Sequence, residues 1–246
     1  MNADAVYSPL CTLKPVAPEV WVIDGPIIRF GPLWPKIPFP TRMTVIRLAD
    51  GRLLIHSPVP LAAGLMEELS RLGRPRWIVG PNRLHYWWIP EWHAAFPDAE
   101  VYIAPRILEQ GHGRIDFPCR QLDPARGLPW DTDITTLAVE GGYMTEVVFF
   151  HRMSRTLVLT DLIENFERHR LGFCMRWLAG IGHVLDPDGQ MPSDLRTTFP
   201  KPELRAAVET MIGWQPLRVI LAHGRWYERD GTNELRRAFR WLLHDT

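Results

Sequence analysis

Four apolar, strand-like runs each end in a side chain able to bind a metal ion: Arg52-Leu-Leu-Ile-His56, Trp77-Ile-Val-Gly-Pro-Asn82-Arg-Leu-His85, Thr156-Leu-Val-Leu-Thr-Asp161 and Val219-Ile-Leu-Ala-His223. In layered α/β proteins ligands bind beyond the carboxyl ends of strands, where loops leave room and backbone groups are free. Four such endings predict one site assembled from distant segments. Each group also has a plainer reading. Asp161 would cap the segment after it or pair with Arg155, since an unpaired carboxylate at the end of a buried strand is costly. His223 precedes Gly224, which permits close backbone approach, and would serve as a hydrogen-bonded structural histidine. Asn82 and Tyr86 would form a polar cluster around His85 without metal. His56, ahead of Ser57-Pro58, reads best as a group that orients another.

The elements that position these groups follow from periodicity and turns. Val20–Phe30 and Arg42–Leu48 are β-rich, with a Pro-rich loop from Pro32 to Pro40 between them. Asp50-Gly51 is a strong two-residue turn, so Arg42–Leu48 and Arg52–His56 make a hairpin. Leu61, Leu65, Leu69 and Leu72 mark a helix stopped at Gly73. Strands at Trp77–Val79 and Val101–Ala104 flank a short helix at Pro90–Phe96. A second β-rich set covers Ile134–Val139, Glu146–Phe150 and Thr156–Thr160. Helices at about 172–184 and 202–213, a strand at Arg218–Ala222 and a helix at Thr232–Leu243 complete the chain. Two β-rich halves, each followed by helices, predict an α/β layered sandwich with two facing sheets and helices outside. One domain, 1–246, with a helical insertion at about 163–215, is the expected organisation.

In Tyr86-Trp87-Trp88-Ile-Pro-Glu-Trp92 the tryptophans either wall a pocket for an apolar ligand, Trp87 and Trp88 above all, or cover the sheet as core. Apolar groups also recur at helical spacing in Phe173–Ile181, as a lid, a subunit contact or plain packing. His151 is a further candidate ligand if its hairpin turns it inward. Glu140 and Glu146 are general bases or, more simply, solvated edge charges.

Composition narrows the class. Lys plus Arg equals Asp plus Glu, 28 each, so no global field recruits nucleic acid or an anionic membrane, although a local basic patch stays open. Three distant cysteines make neither a C-x-x-C pair nor a disulfide framework. There is no basic start followed by an apolar run, and no stretch of roughly 20 apolar residues. The expected location is the cytoplasm.

Two segments bring a family into view. Glu146-Val-Val-Phe-Phe-His-Arg-Met-Ser-Arg-Thr-Leu-Val-Leu-Thr-Asp161-Leu162 resembles the metallo-β-lactamase superfamily hairpin whose second strand ends in a metal-bridging aspartate. Ile220-Leu-Ala-His223-Gly224 is similar to the late strand ending in the last histidine ligand. The resemblance runs from about Val20 to the C-terminus and points to a branch described as a domain of unknown function. It implies a four-layer αββα sandwich. The chain departs from the pattern at several places. His56 stands where an Asp is usual, and Gly80-Pro-Asn-Arg-Leu-His-Tyr86 replaces the His-x-His-x-Asp-His motif. The most natural placement puts His85 at the motif's Asp and Tyr86 at its last His. The third histidine position falls at Gly142. One metal site is therefore expected empty, while His85, Asp161 and His223 rebuild three positions of the other. Three N/O ligands and one open place suit a catalytic zinc.

The resemblance thus implies a degenerate, mononuclear hydrolase with one zinc or iron ion, attacking a small ester, amide or similar carbonyl, with Asp161 and His85 catalytic. Its alternative is an inactive, metal-free member that binds a small molecule or protein partner through an aromatic-lined pocket. The expected partner is a small molecule, with neither nucleic acid nor membrane; a homodimer is left open.

Overall fold

The computed structural model describes residues 6–30, 37–111 and 113–243. A first sheet carries, in spatial order, β1 (Lys14–Ala17), β2 (Val20–Phe30), β3 (Ile37–Arg47), β4 (Leu53–His56), β5 (Pro75–Gly80), β6 (Glu100–Ile103) and β7 (Arg120–Gln121). It is antiparallel from β1 to β4 and parallel from β4 to β7. A second sheet holds β8 (Ile134–Glu140), β9 (Thr145–His151), β10 (Thr156–Val158) and β11 (Arg218–Ile220), in the order β11-β10-β9-β8.

Side-chain alternation along β9 explains how the sheets face each other. Val147 and Phe149 join the core shared with the first sheet, while Val148 and Phe150 join a second core on the opposite face. A strand buried on both faces reads as the continuous apolar run seen in the sequence. Helices α1 (Ala63–Leu72), α2 (Ile89–Ala95) and α3 (Ile107–Gly111) accompany the first sheet. Leu65, Leu69, Ile89, Trp92 and Ile107 are buried in its core. After α4 (Phe173–Ile181) and α5 (Ser193–Arg196), helices α6 (Lys201–Gly213), α7 (Gly231–Ala238) and α8 (Arg240–Leu243) cover the second sheet. They do so through Leu204, Val208, Met211, Leu235, Phe239 and Leu242. The result is the helix–sheet–sheet–helix sandwich.

Several elements end differently from the sequence expectation, each for a physical reason. The strand expected over Thr156–Thr160 stops at Val158, because the Thr160 and Asp161 N–H groups donate to Glu146 instead of a ladder partner. The closing helix is interrupted at Phe239. The helix from about 172 stops at Ile181, with His183 at φ 58°. Of the Pro-rich loop, residues 32–36 lie outside the described residues, while Pro38 and Pro40 are within β3.

A buried arginine ties the first sheet to the end of β11. Arg42 on β3, 4% exposed, pairs with Asp24 on β2 at 2.7 Å. Its Nη1 donates to the carbonyls of Leu221 and Gly224 at 2.7 and 2.8 Å. These carbonyls bracket His223. Removing one partner of a buried ion pair leaves the other charge uncompensated. Arg42→Met is therefore expected to cost about 3 kcal/mol, a fall in Tm of about 6–12 °C for a chain of this size. Thermal unfolding followed by circular dichroism checks it, and an unchanged Tm would contradict the tie.

Candidate metal centre

Asp161 lies three residues beyond β10, and its direction is set by Glu146 at the start of β9. Glu146 is fully buried. Its carboxylate accepts from three successive backbone N–H groups, Thr160, Asp161 and Leu162, at 2.7, 2.8 and 3.2 Å. Asn82 bridges the same carboxylates: its Nδ2 donates to Asp161 Oδ2 at 2.6 Å, to Thr160 Oγ1 at 2.8 Å, and reaches Glu146 Oε2 at 3.2 Å. Its Oδ1 accepts from the Leu84 N–H at 2.8 Å, turning the chain beyond β5 so that His85 meets Asp161. The Pro81 carbonyl, accepting from Val147 N–H at 2.9 Å, pins that turn to the opposite sheet.

Two imidazoles converge on Asp161. His85 Nε2 lies 3.2 Å from Oδ2 and His223 Nε2 lies 3.2 Å from Oδ1, with the rings 5.2 Å apart. One ligand atom from each of the three lies within 4.8 Å of the others. Both rings are held from behind. His223 Nδ1 donates to the Pro40 carbonyl at 2.7 Å, which fixes the proton there and leaves Nε2 as the acceptor in the neutral ring. His85 Nδ1 is hydrogen-bonded to Ser57 Oγ at 2.6 Å. Gly224 makes the His223 turn possible. It has φ +84°, and a Cβ there would sit 2.1 Å from the Asn165 carbonyl oxygen.

The electrostatics follow from burial. Burial opposes ionisation of Asp161, but the charges and hydrogen bonds of His85 and His223 hold its carboxyl far below the ordinary range. Burial likewise disfavours the His223 cation, yet Asp161, reinforced by Glu164 and the Pro40 carbonyl, raises its pKa. Burial and then the Asp161 charge push Glu146 up, against its three N–H donors. Glu164 is pushed up to about 8, mainly by burial, with His223 opposing and Asp161 adding. Asp161 is thus the carboxyl held ionised against the two imidazoles, while burial favours the neutral forms of Glu146 and Glu164.

The donor set fits a metal ion. Two imidazole nitrogens and a carboxylate oxygen are the N/O ligand types of a zinc site with one place open, and they lie within 4.8 Å of one another.

The other candidates fall elsewhere. His56 is buried, but its Nε2 has no hydrogen-bond partner and its ring meets Phe149 edge-on at 4.9 Å. Burial and the neighbouring His85 depress its pKa to about 3, so it stays neutral. His151 is not turned to the site: it pairs with Thr156 at the start of β10 and bonds Ser154 at 2.8 Å. Antiparallel pairing sends the two ends of β9 to opposite rims of the sheet. Tyr86 stacks on Trp87, and its hydroxyl donates to the Gln110 carbonyl, away from Asp161. Trp88 packs on the first core, and Trp87 lies under Arg114. A cavity of about 350 Å³ is lined instead by Tyr7, Ile27, Pro40, Phe166, Leu171 and Met175, with Arg29, Glu167 and Arg170 also at its wall, and a second of about 580 Å³ lies by Lys14, Asp24 and Arg42. Ser57 and Glu164 carry no signal in the sequence, and Glu146, by residue type a general base or a solvated edge charge, is buried because β9 is covered on both faces. Arg155, the alternative partner of Asp161, donates to Gln215.

The family model described as "Domain of unknown function (DUF4336)" matches residues 35–172. The chain belongs to the DUF4336 family. No curated protein matches it in sequence. Over nearly its whole length this DUF4336 protein superposes on metallo-β-lactamase structures. With DIM-1 metallo-β-lactamase exposed to ceftazidime the TM-score is 0.63 at 11% identity, covering 96% of this chain and 97% of that one. FIM-1 from Pseudomonas aeruginosa, in its mono-zinc form, gives 0.60 at 10%, covering 94% of each. A fragment of diflavin flavoprotein A 5 from Nostoc sp. PCC 7120 gives 0.59 at 12%, covering 94% of each. The fold is therefore metallo-β-lactamase-like. No helix among the described residues is long and apolar enough to cross a membrane.

Glu164 supplies a pH test. Its folded pKa lies above the ordinary value of about 4.3, so the folded state binds the extra proton. The stability it contributes is full below about pH 4 and is lost as pH rises through about 8. Glu164→Gln cannot ionise, so in chelator-treated protein its Tm is expected to fall less than the wild type's between pH 5 and 9. Parallel falls would contradict the assignment.

Proposed function

We propose that this chain is a hydrolase with a reduced, mononuclear metal site, acting on a small ester- or amide-type substrate. The observation that carries the reading is the convergence of His85 Nε2, His223 Nε2 and Asp161, with the far nitrogen of each ring already engaged. The solved structures of similar fold support it, since they include metallo-β-lactamases, one described as a mono-zinc form. His85, Asp161 and His223 would hold one zinc or iron ion. Such an ion, when bound, supplies Lewis acidity that polarises a carbonyl and makes water acidic near neutrality.

The chain's own groups have defined tasks in this reading. Asp161 stays ionised through the physiological range and balances the cation's charge. Pro40 keeps the proton on His223 Nδ1, so the Nε2 lone pair is available. Ser57 holds the His85 ring through Nδ1. Asn82 and Glu146 prevent Asp161 from rotating. Loss of such outer partners typically weakens metal binding about 10–100-fold.

One observation favours the second reading, a metal-free binding protein. The two histidines already pair with Asp161 directly, and the cavity of about 350 Å³ has the apolar lining of a small-molecule site. Elemental analysis separates the two. Protein purified without added metal is expected to carry about one equivalent of zinc or iron, as a three-ligand site requires, and to lose it in the Asp161→Asn/His223→Asn double variant. Absence of metal even after incubation with zinc and iron would favour the binder. Glu146→Gln is expected to weaken metal retention about tenfold or more while preserving the far-ultraviolet circular dichroism spectrum. Wild-type retention would show that the carboxylate does not position Asp161.

A further inference from the structure

Of eight large apolar side chains exposed among the described residues, four lie within the nine residues of α4: Phe173 at 86%, Trp177 at 65%, Leu178 at 44% and Ile181 at 56%. The others are scattered singly, which is ordinary for a soluble surface. With Cys174, also exposed, these side chains span an arc of about 140° at 100° per residue. Ala179 is the buried residue of α4, resting on the small core formed by Phe166, Val184 and Leu185.

Along the chain the residues flanking this face are basic, although the exposed Asp194 follows Ser193, whose hydroxyl donates to the Ile181 carbonyl. From Arg168 to Leu185 the chain contains Arg168, His169, Arg170, Arg176 and His183, and no acidic residue. Arg170 is tied to Glu167. Arg168 and Arg176 are exposed and have no carboxylate partner among the described residues, Arg176 bonding only the Leu171 carbonyl. The nearest acids in sequence are engaged elsewhere: Asp186 by Arg225 and Asn165, Asp188 by Arg237 and Arg240. An aromatic and aliphatic stripe bordered by arginine is the pattern of a helix that lies in the plane of a lipid interface.

We infer that α4 docks on an anionic lipid surface, Phe173, Trp177, Leu178 and Ile181 entering the interface while Arg168 and Arg176 meet lipid phosphates. A second copy of the chain fits less well. A stable interface takes about 20–30 residues a side, well beyond one nine-residue helix, and a twofold contact would set the same arginines against each other. The zero net charge of the chain does not oppose the inference, because the attraction acts within about a Debye length of the surface. Leu171, Gly172 and Met175 of the same segment line the cavity, Met175 lying beyond the exposed arc, toward buried Ala179.

The inference is independent of the metal reading and is tested on the full chain treated with chelator. In flotation assays the protein is expected to rise with phosphatidylcholine–phosphatidylglycerol vesicles, far less with phosphatidylcholine alone, and progressively less as salt increases. Phe173→Ser/Trp177→Ser is expected to reduce partitioning about tenfold or more. Arg168→Glu/Arg176→Glu is expected to abolish the preference for anionic lipid. Both variants alter exposed side chains and should keep the wild-type Tm. No flotation, equal binding to both lipids, or binding unchanged by the variants would overturn the inference. So would sedimentation equilibrium showing a wild-type dimer that Phe173→Ser/Trp177→Ser dissociates.

Discussion

The Glu146 carboxylate, fully buried at the start of β9, gathers the N–H groups of Thr160, Asp161 and Leu162 and so ends one strand to aim the side chain beyond it. A buried carboxylate without such donors is strongly disfavoured, and three consecutive amides without an acceptor would be little better. Each side of the contact therefore enforces the other. Its consequence is that the Asp161 backbone stands still while Asn82, reaching over from the first sheet, fixes the side chain. The site depends on this join because its ligands come from both sheets: Asp161 and His223 follow β10 and β11 of the second, and His85 follows β5 of the first.

Support from outside extends the same logic. Arg42 reaches from the first sheet to the carbonyls either side of His223, and Pro40 on the same strand holds that ring. Strand β3 thus sets both the position and the tautomer of a side chain that is 183 residues distant from Pro40. Ser57, just past β4, positions the His85 ring through Nδ1. The histidines are oriented before any cation arrives, so binding one needs little rearrangement. The residues that orient the ligands are spread across β3, the ends of β4 and β5, and the start of β9.

The layered architecture was legible because strands buried on both faces read as apolar runs and Asp50-Gly51 marks its hairpin. Asp161, His85 and His223 were visible as strand endings, and their order carried the resemblance to the metallo-β-lactamase superfamily. What sequence could not supply was phase and partnership. Whether β9 turns Glu146 or His151 toward the site depends on strand direction and register, which only pairing with β10 decides. Trp87 and Trp88 sit beside His85 in sequence, yet the turn built on Asn82 carries them to the flank of the first sheet. Pro40, a backbone acceptor, leaves no mark in residue type at all.

The central claim is that Asp161 and the Nε2 atoms of His85 and His223 form one preoriented cation site. The most direct measurement is long-range 1H–15N correlation of the imidazoles in chelator-treated protein, before and after one equivalent of zinc, with His85→Asn and His223→Asn variants for assignment. The account predicts that Nε2 of His85 and His223 shift together on zinc addition, while His223 Nδ1 keeps its proton throughout. Unchanged resonances for both rings, or a response confined to His56 or His151, would contradict it.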